Sequence, residues 1–153
     1  MTGSFAVALD PSGTHLYVGG QNINMIGLHP VAADGSVGAL ARSIAGPNAP
    51  VGLAFDPAGA QLYAIGFFSN DIVRYHVAAG TGALELADSV NTGSSPGAIA
   101  IDPLGRYLFV SHFTSQDVWL FAIQPDGSLV QADRATCAAA AASSVAVARV
   151  SLQ

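Results

Sequence analysis

The sequence predicts an all-β protein assembled from repeated four-stranded antiparallel units, and three observations carry that expectation. Asp-Pro-x-Gly occurs three times, as Asp10-Pro11-Ser12-Gly13, Asp56-Pro57-Ala58-Gly59 and Asp102-Pro103-Leu104-Gly105, at an unvarying interval (56 − 10 = 46 and 102 − 56 = 46). Short apolar runs precede each copy (Phe5 to Leu9, Val51 to Phe55, Gly97 to Ile101) and follow it (Leu16-Tyr17-Val18, Leu62-Tyr63-Ala64, Leu108-Phe109-Val110). No segment before Ala135 carries a helical apolar stripe long enough to serve a helix-based repeat of this length. A period in the forties that holds several short strands is the signature of β-propeller blades.

The elements follow in order within each period. In the second copy the strands are expected at Val51–Asp56, Gln61–Gly66, Asp71–Val77 and about Leu84–Val90. The first turn is Asp-Pro-x-Gly: Pro presets φ, Asp bonds back to the backbone, and the pattern fits a type I turn. Asp34-Gly35-Ser36, Thr81-Gly82 and Asp126-Gly127-Ser128 mark a second tight turn, where Gly tolerates positive φ. The third strand alternates Val73/Tyr75/Val77 with Ile72/Arg74/His76 in copy two, and Trp119/Phe121/Ile123 with Val118/Leu120/Ala122 in copy three. Copy three is apolar on both faces, as befits a sheet packed between two neighbours. The units are residues 3–46, 47–93 and 94–136. Residues 137–153 are expected to be the degenerate start of a fourth blade, with Ser144–Val150 as its first strand. That expectation rests on repeat register, since Ile99-Ala100-Ile101 maps onto Val145-Ala146-Val147, and it runs against the helical propensity of the Ala-rich stretch from Cys137 to Ala142. Three four-stranded blades and one further strand make an open arc, not a ring.

Composition narrows the function. The chain of 153 residues suits one domain. With 51% apolar and 10% charged residues, it can bury a core and is not disordered. There is no Lys, the five Arg form no cluster, and the formal net charge is −5, which argues against nucleic acid and against an acidic membrane surface. No stretch has the apolar length of a membrane span, and Met1 to Phe5 lacks the basic start of a signal peptide. Cys137 stands alone, so no intrachain disulfide is possible and the compartment is not set by cysteine usage. The sequence implies no cofactor: it has no Gly-rich phosphate loop, no Gly-x-Ser-x-Gly elbow and no paired catalytic carboxylates. Asp10, Asp56 and Asp102 are explained by their turns and do not form a calcium loop, so no metal is expected.

The second strands, Leu16-Tyr17-Val18-Gly19-Gly20, Leu62-Tyr63-Ala64-Ile65-Gly66 and Leu108-Phe109-Val110-Ser111-His112, combine with Asp-Pro-x-Gly and with Gly46-x-x-x-Pro50. Together they resemble the YVTN and lactonase-type seven-bladed β-propellers, a grouping that includes bacterial 6-phosphogluconolactonases. The resemblance covers residues 3 to about 147 and implies three blades of a larger ring. It also implies a His after the Pro that opens a blade, with further His, Glu and Arg near a central funnel. Here Val51 and Gly52 follow Pro50, Gly97 and Ala98 follow Pro96, and the single Glu, Glu85, falls on an outer strand.

Antiparallel alternation places the turns after strands one and three at the bottom and the loops after strands two and four at the top. The bottom turns are nearly identical among copies, whereas the top loops differ, so the top is the expected functional face. His112 could bond a ligand or move a proton, with Asp117 as the carboxylate at a useful spacing; the plainer expectation is a solvated loop histidine. Phe67 and Phe68 could stack on a sugar, or else cap the gap between blades. Asn22, Asn70 and Gln116 are the polar candidates in the same loops. His29 aligns with Tyr75 and Phe121 and should face the core, while His15 and His76 show no metal-ligand spacing. The expected role is a scaffold binding a small sugar-like or lactone ligand, or a protein, through the top loops. The alternative is part of a lactone-ester hydrolase. The expected partners are the missing blades or a second copy of the chain.

Overall fold

A computed structural model describes residues 3–136, and the strand expected at Ser144–Val150 lies outside them. The first sheet holds β1 (Ser4–Leu9), β2 (His15–Gly20), β3 (Met25–Pro30) and β4 (Arg42–Ala45). The second holds β5 (Pro50–Phe55), β6 (Gln61–Gly66), β7 (Asp71–Val77) and β8 (Leu84–Asn91), and the third β9 (Pro96–Ile101), β10 (Tyr107–His112), β11 (Asp117–Ile123) and β12 (Leu129–Thr136). Each sheet is an antiparallel meander in sequence order, so every pairing joins strands adjacent in the chain. No helix occurs among the described residues. The three sheets are propeller blades standing side by side in an unclosed arc, with β1, β5 and β9 neighbouring one another along the inner edge.

The repeated turns behave as their chemistry requires. The amides of Gly13, Gly59 and Gly105 donate to the carbonyls of Asp10, Asp56 and Asp102 at 2.9, 3.0 and 2.8 Å. The Asp carboxylates then accept amides across the turn: His15 to Asp10 at 3.0 Å, Gln61 to Asp56 at 2.7 Å and Tyr107 to Asp102 at 2.7 Å. Each carboxylate thus has a structural role in closing its own turn, which accounts for its recurrence without a ligand.

Two apolar cores lie between blades, not within them. Ala6, Tyr17, Ile26 and Leu28 of blade one meet Leu53, Leu62, Ala64, Val73 and Tyr75 of blade two. Tyr63, Ile65 and Ile72 on the other side of blade two meet Leu108, Val110 and Phe121 of blade three. The period-2 alternation of each strand thus sends successive side chains to opposite neighbours. The second core also buries Arg74, which pairs with Asp88 at 2.6 Å and donates to the Asp126 carbonyl of blade three at 2.7 Å.

Candidate functional site

The top of the arc is built from the β2–β3, β6–β7 and β10–β11 loops together with the connections between blades. Asn24, Asn70 and Gln116 occupy one repeat position and all adopt the left-handed conformation, with φ of 52°, 56° and 53°. Asn tolerates this region because its short side chain can bond locally. Asn24 Oδ1 accepts the Ala49 amide at 2.9 Å and Asn70 Oδ1 accepts the Ser95 amide at 2.8 Å, tying each top loop to the start of the next blade. Asn70 therefore spends its side-chain carbonyl on the backbone, while Asn22 and Gln116 are exposed. Replacing Asn70 by Ala removes that acceptor and leaves an ordinary residue at positive φ. Asn70→Ala should cost about 1–3 kcal/mol in urea unfolding.

His112 departs from the solvated state expected of a loop histidine: it is fully buried at the end of β10. Nε2 accepts the Gly93 amide at 2.9 Å and lies 2.8 Å from Thr92 Oγ1. Because Nε2 accepts an N–H, the ring is neutral and its proton sits on Nδ1. Nδ1 approaches Asp117 Oδ1 to 2.9 Å, obliquely, so the contact is an electrostatic pairing without a well-aligned hydrogen bond. Burial pushes the imidazole below its ordinary pKa, and the neighbouring Asp117 carboxylate only partly offsets this. Burial alone would raise Asp117, but hydrogen bonds from Ser115 at 2.7 Å and Trp119 Nε1 at 2.8 Å, with His112 nearby, hold it below the usual carboxylate range. A side chain larger than hydrogen cannot stand at Gly93, where an added Cβ would lie 2.9 Å from the His112 ring. The cluster is a filled polar plug between blades two and three, with no approach for a substrate.

What the top loops do expose is aromatic. Phe68 is 63% exposed and does not cap the gap between blades; its ring meets half-buried Phe67 edge-on, with centroids 5.1 Å apart. Phe113 on the next top loop is 53% exposed, and its amide is held by the Ser95 carbonyl at 2.8 Å. Thr114 Oγ1 donates to Ser95 Oγ at 2.9 Å beside it. The remaining histidines lie elsewhere. His15 is 3.2 Å from Asp10 in a bottom turn, His29 is half-buried with Nδ1 3.1 Å from the Gly38 carbonyl, and exposed His76 pairs across strands with exposed Glu85. Among the described residues no three His, Cys, Asp or Glu side chains converge on a point that could hold a metal. Alignment of the copies did not reveal the Thr92–Gly93 clamp, because those two residues come from the connection ahead of blade three. The recurrence of Asn24 and Asn70 at one repeat position was the available signal for the loop ties.

The fold and the repeated turns define an open β-propeller of the lactonase type. The chain belongs to the lactonase, seven-bladed β-propeller family, whose model matches residues 35–147. Among solved structures it is similar to the periplasmic gluconolactonase of Pseudomonas aeruginosa, with 19% identity and a TM-score of 0.79 over 90% of this chain and 42% of that one. A Bacteroides uniformis protein described provisionally as a 6-phosphogluconolactonase matches at 19% identity and a TM-score of 0.74, over 85% and 41% of the two chains. A chain of a mitotic checkpoint complex matches at 18% identity and a TM-score of 0.72, over 92% and 41%. At these identities the likeness is one of fold, and the chain spans about two fifths of each of these structures. No curated protein matches the chain.

Proposed function

We propose that the chain is a propeller scaffold that binds a small sugar-like or lactone ligand through its top loops. The observation that carries this reading is the pair of phenylalanines, Phe68 and Phe113, exposed on successive top loops whose backbones are tied down by Asn70 and Ser95. An aromatic ring held rigidly at a rim offers its face to the C–H surface of a sugar at little ordering cost. Asn22, Thr114 and Gln116 supply exposed polar groups in the same loops for hydroxyls or a ring carbonyl. Family membership favours a second reading, in which these blades form part of a lactone-ester hydrolase. The top loops offer that reading no free histidine or glutamate as general base, since His112 is buried and engaged and Glu85 lies on the outer strand.

Titration with glucono-δ-lactone, read by saturation transfer to the ring protons and by product formation, separates the two. Contact with Phe68 and Phe113 without hydrolysis above buffer is the expected result. Phe68→Ala should abolish the transfer while changing stability by less than about 0.5 kcal/mol, because the side chain is at the surface. Turnover that is lost in His112→Ala but kept in Phe68→Ala would overturn the scaffold reading.

A further inference from the structure

The first of the three Asp-Pro-x-Gly turns departs from the other two in its side chains. Ser12, Thr14 and His15 stand where the second copy has Ala58, Ala60 and Gln61 and the third has Leu104, Arg106 and Tyr107. Closing the turn does not require them. The amides of Gln61 and Tyr107 close the later copies on Asp56 and Asp102 with none of these three groups present.

In the first copy all three converge on Asp10. Its Oδ1 accepts the amides of Thr14 at 2.9 Å and His15 at 3.0 Å, and its Oδ2 accepts Ser12 Oγ at 2.7 Å and lies 3.2 Å from His15 Nδ1. Thr14 Oγ1 stands 2.6 Å from Ser12 Oγ and 3.0 Å from His15 Nδ1. Burial alone would raise Asp10, but hydrogen bonds from Ser12, His15 and Thr14 hold it below the usual carboxylate range. An ionised carboxylate can only accept, so it draws the proton of a neutral ring to Nδ1 and leaves the Nε2 lone pair bare. No described residue bonds Nε2, which is open to solvent. The ring fits only because its neighbour is Gly82, where an added Cβ would lie 2.9 Å from His15 Cγ and 3.0 Å from Cδ2.

His15 lines a cleft of about 640 Å³ between blades one and two, within the size range of small-molecule sites. Its walls are Pro11 on blade one, with Ala58 to Ala60 and Val77 to Gly80 on blade two. They nearly close at one end, where a Cβ on Gly59 would meet Pro11 Cδ at 3.1 Å, and stay open at Gly80, where a Cβ meets nothing within 4 Å. Asp10 and His15 are the only titratable side chains in this lining, whereas the matching cleft between blades two and three carries Arg106 and Asp126. The result is a narrow slot with apolar walls and one bare acceptor.

That chemistry selects a ligand. An anion finds no cation among the lining residues, and Asp10 already accepts four hydrogen bonds, so it has no ion pair to offer an ammonium. A sugar would leave hydroxyls unpaired against Pro11, Ala58 and Ala79. A single imidazole without a second ligating side chain does not make a metal site, and no such group occurs among the described residues. We propose that the cleft is a second binding site, for a small uncharged aromatic alcohol of the phenol class, whose hydroxyl donates to Nε2 of His15 while its ring lies in the slot.

Titration of the full chain with phenol, followed by the His15 ring protons and the Ala79 and Gly80 amides, tests this. A saturable shift at all three is expected, and it should fade as the imidazole takes up its second proton in the same spectra. Asp10 is the only charged group facing that ring: its cross-strand partner is Pro30, the blade-two walls carry no charge, and Tyr17, which donates to the Gly82 carbonyl at 2.6 Å, is raised by burial to about 12 and stays protonated. His15→Gln and Ala58→Leu install residues that the repeat already carries at these positions, Gln61 and Leu104, so both should fold. Each should weaken phenol binding at least about tenfold at the Ala79 and Gly80 amides, the first by removing the acceptor and the second by filling the slot. Anisole, which has the ring and no donor, should leave the His15 ring unmoved. No saturable shift, full binding in both variants, or binding that persists on the protonated imidazole would overturn the proposal. An equal His15 shift with anisole, with glucono-δ-lactone or with inorganic phosphate would overturn the ligand class.

Discussion

Leu62→Ala is expected to lower the free energy of unfolding by about 2–5 kcal/mol, the usual cost of truncating a buried leucine where the surroundings cannot collapse. Leu62 is 0% exposed on β6 and belongs to the core shared with Tyr17, Ile26 and Leu28 of the neighbouring blade. The hole would therefore open between two rigid sheets, where relaxation is limited. The protein's single tryptophan, Trp119, lies on β11 in the third blade and reports from a distance. Urea unfolding followed by Trp119 fluorescence and by far-UV circular dichroism should shift by the same amount if the blades melt as one unit. A Trp119 transition that stays in place while the dichroism moves would show that the third blade unfolds independently.

The second large effect is one of pH. His112 is held neutral by the Gly93 amide on Nε2, and its folded pKa lies below the ordinary 6.5. A histidine with a depressed folded pKa binds its proton more readily when unfolded. Its neutral form therefore stabilises the fold fully above about pH 6.5, and that contribution is lost as pH falls from there through the folded value. Asp117, depressed below 3.8, acts in a lower window: its contribution is present above about pH 3.8 and is lost on further acidification. The two should appear as separate declines in a stability-versus-pH curve. His112→Ala, which strands the Gly93 amide and opens a cavity, should cost roughly 2–4 kcal/mol at pH 8. The deficit should shrink toward pH 5, because the natural protein loses stability there and the variant does not. A deficit that is constant between pH 8 and pH 5 would show that His112 does not titrate with folding.

The blades were legible in the sequence because their punctuation is local. Asp-Pro-x-Gly encodes its own turn, and the strands expected at Gln61–Gly66 and Asp71–Val77 are β6 and β7 to the residue. The state of the candidate site depends on contacts that local chemistry does not carry. His112 follows a strand and opens a polar loop, so it reads as solvated. It is buried because Gly93, from the preceding connection, lacks the side chain that would collide with it. The alignment did hold a hint, since the matching residues are Gly20 and Gly66, a position kept small where no space is provided. Asn70 reads as a loop residue free for a ligand, yet its carbonyl is committed to Ser95, 25 residues away. Phe68 errs the other way: the expectation that adjacent phenylalanines hide from water fails because Phe67 alone turns inward.

The meander order of every sheet has a kinetic consequence. Among the described residues each strand pairs only with its sequence neighbour, through local connections of which the longest, between β3 and β4, runs from Val31 to Ala41. Loop-closure entropy grows with the length of chain that must be brought together, and no strand pairing among the described residues joins different blades. Within each blade the strand pairings are those of a row of hairpins, and the distant contacts that slow all-β folding are the ones that pack one blade on the next. The strand pairings of a blade can form as soon as its own residues are available, whereas its core is completed only when the neighbouring blade packs against it. The faces Val7 and Leu9 leave uncovered then become the exposed, adhesive surface of the newly formed chain.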